Sequence, residues 1–229
     1  MVEGPSLVEH AVRAGWELEA VFVAADEWSY RPPDLAPDVG VFELAPNVME
    51  RVATTESPQP VLGVVRRRVA PLDALDDATF VLVADRIADP GNAGTILRSA
   101  EAAGVDAAVL TAGSVDPFNP KVVRSSAGAL FEVPVVVDVQ MDDVLRRAAP
   151  RLRAVGTTSH DQPGVRPYTS VDLTVPTLVI VGNESSGLDP SLAVDEWISV
   201  PHAGRAESLN VAMAATVVVF EVLRQRQGR

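Results

Sequence analysis

Asn183, Glu184, Ser185, Ser186, Glu207, Ser208 and Asn210 fall in two loops of the stretch LVIVGNESSGLDPSLAVDEWISVPHAGRAESLN, Leu178 to Asn210. Each loop follows a short apolar run that reads as a strand, Thr177–Val181 and Trp197–Val200. Loops after strands are where α/β proteins keep their ligands. The first, Gly182 to Gly187, offers small residues for close backbone approach, one carboxylate and several hydrogen-bonding groups. The second carries Pro201, Gly204, Glu207, Ser208 and Asn210 and then opens a long apolar helix, expected over Ser208–Arg226. Two polar loops ending neighbouring strands predict one composite site.

A third polar turn, Gly91-Asn92-Ala93-Gly94, follows the wholly apolar run Phe80–Ala84. It opens a helix expected over Ala93–Ala103, with Ile96, Leu97, Ala100 and Ala103 on its buried stripe and Arg98 and Glu101 off it. Glycines at a helix N-terminus admit a phosphate. The dinucleotide fingerprint does not fit, because the turn lacks G-x-G-x-x-G. The next strand, Ala107–Leu110, runs into Thr111-Ala112-Gly113 instead of ending on an acid. The same missing acid argues against a nucleotide-dependent oxidoreductase and against Rossmann-type methyltransferases.

The chain has no cysteine, and His10, His160 and His202 are too far apart for metal-ligand spacing, so no metal is expected. A net charge of −12 argues against bulk attraction to nucleic acid. The charge is uneven: residues 1–65 hold 11 acids and 3 bases (net −8), residues 66–229 hold 20 and 16 (net −4). Bases cluster at Arg66–Arg68, Arg146–Arg153 and Arg224–Arg229; 18 of the 19 are arginine, which suits phosphate contacts but reads first as codon bias. No apolar run approaches the roughly 20 residues of a membrane span. Glu3 and Glu9 stand where a signal peptide would be basic and apolar, so a cytoplasmic location is expected.

These loops need a scaffold, and at 229 residues with 47% hydrophobic content the chain can bury one. A helix is expected from Gly4-Pro5-Ser6 to Gly15, strands at Ala20–Ala24, Gly40–Leu44 and Pro60–Val65, and a short helix at Pro46–Ala53. The fold class is therefore α/β, with a small first domain over residues 1–65, a linker over 66–78, and a parallel-sheet domain over 79–229. In the latter, a helix from Asn119-Pro120 to Val123, a strand at Val133–Val137, a helix at Met141–Ala148 and a strand at Leu152–Gly156 continue the alternation.

Together, Asp89-Pro90-Gly91-Asn92-Ala93-Gly94-Thr95-Ile96-Leu97-Arg98, then Val181-Gly182-Asn183-Glu184-Ser185-Ser186-Gly187-Leu188, then Val200-Pro201-His202-Ala203-Gly204 and Glu207-Ser208-Leu209-Asn210-Val211, resemble the three motifs of SpoU-type (TrmH-like) RNA 2′-O-ribose methyltransferases of the SPOUT class. Lys121 to Leu130 adds a fourth similar stretch, and the resemblance covers about residues 79–226. It implies a parallel sheet with a C-terminal deep trefoil knot, a rare exception to unknotted chains. It also implies S-adenosylmethionine as cofactor and a homodimer.

Carried onto this chain, the resemblance gives Gly182, Val200, Leu209 and Thr157 to the methyl donor and Arg98, Asn92, Glu184, Ser208 and Asn210 to catalysis. An arginine, protonated far above neutral pH, is an awkward base; Arg98 is expected mainly to orient the hydroxyl and the adjacent phosphate, with acceptance of the proton as the alternative. Blander readings exist for each. Asn92 and Ser208 would serve as caps of the Ala93 and final helices, Arg98 as a surface partner of Glu101 or Asp106, and Glu184 as a solvated acid.

The first domain, through Val2-Glu3-Gly4-Pro5-Ser6-Leu7-Val8, resembles more loosely the small RNA-binding domain many such enzymes carry. That domain makes ribosomal RNA the expected substrate, with transfer RNA or a binding-only, RNA- or ribosome-associated role as alternatives.

Overall fold

In a computed structural model, residues 1–55, 57–160, 163–205 and 207–228 are described. The first layer runs β1 (Val2–Glu3), α1 (Pro5–Arg13), β2 (Leu18–Ala24), β3 (Gly40–Leu44), α2 (Met49–Val52) and β4 (Val61–Val65). Its sheet has the order β1-β4-β2-β3, antiparallel except for the β2–β3 pair. The expected helix at 46–53 shrinks to one turn.

The larger layer follows. It comprises β5 (Phe80–Ala84), α3 (Pro90–Ala102), β6 (Ala107–Thr111), α4 (Pro120–Ser125), α5 (Ala129–Glu132), β7 (Val135–Val139), α6 (Met141–Ala148), β8 (Arg153–Thr157), β9 (Val165–Pro167), β10 (Thr177–Val181), β11 (Glu196–Ser199) and α7 (Val211–Gln227). All seven strands are parallel, in the order β7-β6-β5-β10-β8-β11-β9. The central strands β5 and β10 are buried along their whole length, which is why they read as unbroken apolar runs.

Several sequence expectations are corrected. The strands before the two polar loops, β10 and β11, are not neighbours, since β8 lies between them. The strand expected at Val133–Val137 starts two residues later, behind the short helix α5 and Pro134, which has no N–H to give a ladder. The final helix begins at Val211 rather than Ser208.

Segment 66–78 packs against the sheet: Ala70 N–H donates to Val135 O, a 3₁₀ turn spans Leu72–Leu75, and Leu75 and Ala78 are buried. One core runs from Val8 and Ala11 of α1 through Leu130 and Phe131 to α3 and α7; a second lies under α6 on the other face. Trp16 joins the layers, its indole donating to Phe131 O at 2.9 Å with its ring edge-on to Phe118 and Phe131. The buried Glu3 carboxylate accepts from Thr54 N and Oγ1, both at 3.0 Å, and Arg124 reaches Thr54 Oγ1 at 2.5 Å. Among the described residues no helix is long and apolar enough to cross a membrane, and no group of three or more acidic or histidine side chains is placed to hold a metal.

Candidate functional site

The C-terminal ends of β5, β10, β8 and β11 bring the three polar stretches together. Asp89, with its backbone extended, caps α3 by accepting from Asn92 N at 2.8 Å, and Pro90 occupies the first turn, where its missing N–H costs nothing. The cap is thus Asp89 and not Asn92, whose side chain is released for other work. Asn92 Nδ2 donates to Glu184 Oε1 at 3.0 Å, and Asn92 Oδ1 accepts from Asn210 Nδ2 at 2.9 Å. Asn210 is also the N-cap of α7, its Oδ1 accepting from Ala212 N at 2.9 Å and Met213 N at 3.3 Å. A continuous chain Glu184–Asn92–Asn210 therefore ties residues 118 positions apart.

Glu184 is exposed yet engaged, accepting from Asp89 N at 3.2 Å and Ala88 N at 3.4 Å as well as from Asn92. Burial opposes its ionisation, but the Asn92 amide and the Glu184, Asp89 and Ala88 N–H groups outweigh it and hold the carboxyl below its ordinary value. Its neighbour Asn183 shapes the loop, donating to Arg86 O at 2.7 Å and accepting from Ser185 N at 2.9 Å and Ser186 N at 3.1 Å.

Gly182 is buried where the loop folds back on itself: a Cβ there would lie 2.5 Å from both Gly187 C and Leu188 N. No side chain fits that crossing. Gly94 is pinned in the same way against α4, where a Cβ would meet Ser125 Oγ at 1.9 Å.

Arg98 stands exposed six residues beyond Asn92, about 9 Å along α3 by the helical rise. It forms no hydrogen bond or ion pair with any described residue, so the surface pairing with Glu101 or Asp106 is not made; Asp106 instead caps Thr79 N at 2.7 Å and Phe80 N at 2.9 Å. Ser208 is exposed and has no such bond either, and it caps no helix.

Thr157, Gly182 and Val200 lie at the ends of adjacent strands. Thr157 Oγ1 donates to Ile180 O at 3.0 Å between β8 and β10, and Val200 is half-buried against the main core. Leu209, beside Asn210, remains 36% exposed. His202 stays in its loop, Nδ1 at 3.2 Å from Val200 O, while His10 bonds Ser6 O at 2.8 Å within α1. Three residues with structural weight here, Asp89, Asn183 and Arg86, carried no assigned role in the sequence reading. The Asp-Pro pair was a legible helix start; the others are visible only through long-range bonds.

A model of the SpoU rRNA methylase family matches residues 79–220, well over half of the chain. The chain belongs to the SpoU family. A second model, an MRM3-like substrate-binding domain, matches residues 1–63. This SpoU chain is 37% identical over 224 residues to a 23S rRNA guanosine 2′-O-methyltransferase of Bacillus subtilis, covering 97% of this chain and 87% of that one. Among solved structures it resembles the SpoU methyltransferase AviRb of Streptomyces viridochromogenes in complex with the cofactor AdoMet (TM-score 0.85, 32% identity, 99% and 89% coverage). It also resembles an AdoMet-bound rRNA methyltransferase of Sinorhizobium meliloti (TM-score 0.84, 31% identity, 97% and 86% coverage).

Proposed function

We propose that this SpoU-family chain is an S-adenosylmethionine-dependent 2′-O-ribose methyltransferase acting on ribosomal RNA. The observation that carries the reading is the Glu184–Asn92–Asn210 chain, which joins all three motif stretches, with Arg98, bonded to no described residue, about 9 Å further along α3.

S-adenosylmethionine supplies an electrophilic methyl group on a sulfonium. The residues present suit such a group. Val200 and the exposed Leu209 offer apolar walls, and the described residues 200–205 and 207–210, outside any strand or helix, offer backbone groups for polar edges. In this reading Gly182, Val200, Leu209 and Thr157 hold the donor. Arg98 orients the ribose hydroxyl and its neighbouring phosphate. Asn92, Glu184 and Asn210 fix the loops at the correct separation, and Ser208 bonds the target or the donor. Positioning of this kind supplies much of the acceleration of a displacement by a weak nucleophile.

The reading includes residues 1–65 as the RNA-contacting domain, 66–78 as the connection and 79–229 as the transferase domain. It also includes a C-terminal trefoil knot, supported by the sheet order in which β10 inserts between β5 and β8 before the chain crosses to β11. A cytoplasmic homodimer completes it. The dimer is supported by the outward apolar stripe of α7, where Met213 is 63% and Phe220 42% exposed.

The test is transfer of tritium from labelled S-adenosylmethionine to ribosomal and transfer RNA, followed by nuclease digestion. Label on a ribose of ribosomal RNA is expected. Label on a base, or on transfer RNA alone, overturns the assignment.

A further inference from the structure

The ends of β6 and β7 enclose a cleft of about 260 Å³, walled by Thr111, Gly113, Ser114, Asp116, Val137 and Asp138 among others, that the reading above does not use. Arg86 adjoins it: a Cβ on Gly113 would come within 3.5 Å of Arg86 Cγ. The Arg86 backbone is left-handed, φ 51°, a conformation long side chains rarely adopt, and Asp138 shares it at φ 55°. Non-glycine residues in this region gather at ligand sites.

The Arg86 conformation is held on every side. Its N–H donates to Thr111 Oγ1 at 3.0 Å, its carbonyl accepts from Asn183 Nδ2 at 2.7 Å, and its Nε donates to Asp85 Oδ2 at 3.0 Å. The buried Asp85 is fixed in turn by Thr111 Oγ1 at 2.8 Å. The Arg86 side chain as a whole is nonetheless 48% exposed. One residue therefore links Thr111, a wall of the cleft, to Asn183, the residue before Glu184. Of the two acids lining the cleft, Asp116 is committed to Arg67 at 3.3 Å and to Phe118 N at 2.8 Å. The Asp138 side chain bonds no described residue.

We propose that this cleft takes one nucleotide of the substrate RNA flanking the target ribose, with Arg86 on its phosphate and Asp138 accepting from the amino group of its base. The inference rests on the RNA methyl transfer proposed above. The volume suits a single base and excludes a helix. A planar guanidinium matches phosphate oxygens, and a lone carboxylate acceptor selects a base with an exocyclic amine over uracil.

Arg86→Gly and Asp138→Asn test it, because both replacements tolerate the left-handed backbone. Binding of the full chain to ribosomal RNA is read by filter retention across a salt series, with donor affinity by calorimetry and thermal midpoints beside it. Arg86→Gly is expected to weaken RNA binding about 10-fold and to lower the salt slope by about one with donor affinity kept, while the lost ion pair to the buried Asp85 lowers the midpoint without touching donor affinity. Asp138→Asn is expected to erase discrimination against uridine in oligonucleotides exchanged at each position flanking the methylated one. Unchanged RNA affinity and slope in Arg86→Gly would overturn the proposal, as would a matching fall in midpoint and donor affinity, the mark of a merely structural residue. A wild-type chain that neither binds nor methylates ribosomal RNA would remove the parent reading as well; an active wild type with an indifferent Arg86→Gly removes the cleft alone.

Discussion

Asn210 does two jobs with one amide, and substitutions can separate them. Its Oδ1 caps α7 through Ala212 N and Met213 N, and its Nδ2 reaches Asn92. Asn210→Ala removes both. The lost cap costs about 1 kcal/mol, a fall of about 2–4 °C in Tm for a chain of this size. Asn210→Asp keeps a cap that suits the helix dipole but turns a carboxylate oxygen toward Asn92 Oδ1, 2.9 Å from the present donor. Asn92 cannot rotate its amide to compensate without turning its own oxygen on Glu184, so the chain of bonds breaks at one end or the other.

Stability should therefore change by about 0.5 kcal/mol or less in Asn210→Asp. If the motif loops part by about 1 Å, kcat/KM should fall about 100-fold. Asn210→Ser, which caps but does not span to Asn92, should resemble Asn210→Asp. The assays are thermal denaturation and single-turnover methyl transfer to ribosomal RNA. Wild-type turnover in Asn210→Asp would refute the positioning argument; equal Tm losses in the alanine and aspartate variants would refute the capping one.

Arg98→Ala should abolish methyl transfer while leaving donor affinity within a few-fold by calorimetry, since Arg98 supports no other described side chain; retained turnover removes it from the chemistry. Gly182→Ala should cost about 3 kcal/mol or more, read in urea melts, because its Cβ meets backbone at 2.5 Å. Gly187→Asn, left-handed but with open space around it, should cost far less. The Glu184 carboxyl has a lowered pKa in the folded chain, so its stabilisation is present above the ordinary carboxyl value of 4.5 and lost as pH falls through the folded one. The Tm gap between wild type and Glu184→Gln should accordingly close as pH drops from about 6 to about 3; a constant gap would show that charge plays no part. Light scattering should give a dimer, and Phe220→Glu should shift it toward monomer; a monomeric wild type would count against the α7 interface.

Elements with strong local signals were legible. β5, β10 and α6 were read with their observed bounds, and Ile96, Leu97, Ala100 and Ala103 were read as the buried stripe of α3. Elements set by distant partners were not. β1 and β9 are two- and three-residue edge strands that exist through pairing with β4 and β11. The caps offered as the blander readings of Asn92 and Ser208 are not made: asparagine, aspartate and serine all satisfy helix N-termini in sequence, and only backbone geometry selects Asp89 and Asn210.

By itself the sequence determined the alternation of strands and helices, the absence of thiol chemistry and the three polar stretches that identify the family. Those are local matters of residue type, periodicity and spacing. Only the tertiary structure decided which polar groups meet: that β8 separates β10 from β11, that Asn92 spans Glu184 and Asn210, and that Arg86 is bent between Thr111 and Asn183. The physical reason is that a hydrogen bond across about a hundred residues leaves no periodic trace, and its partners are fixed only when strand order brings their loops to one end of the sheet.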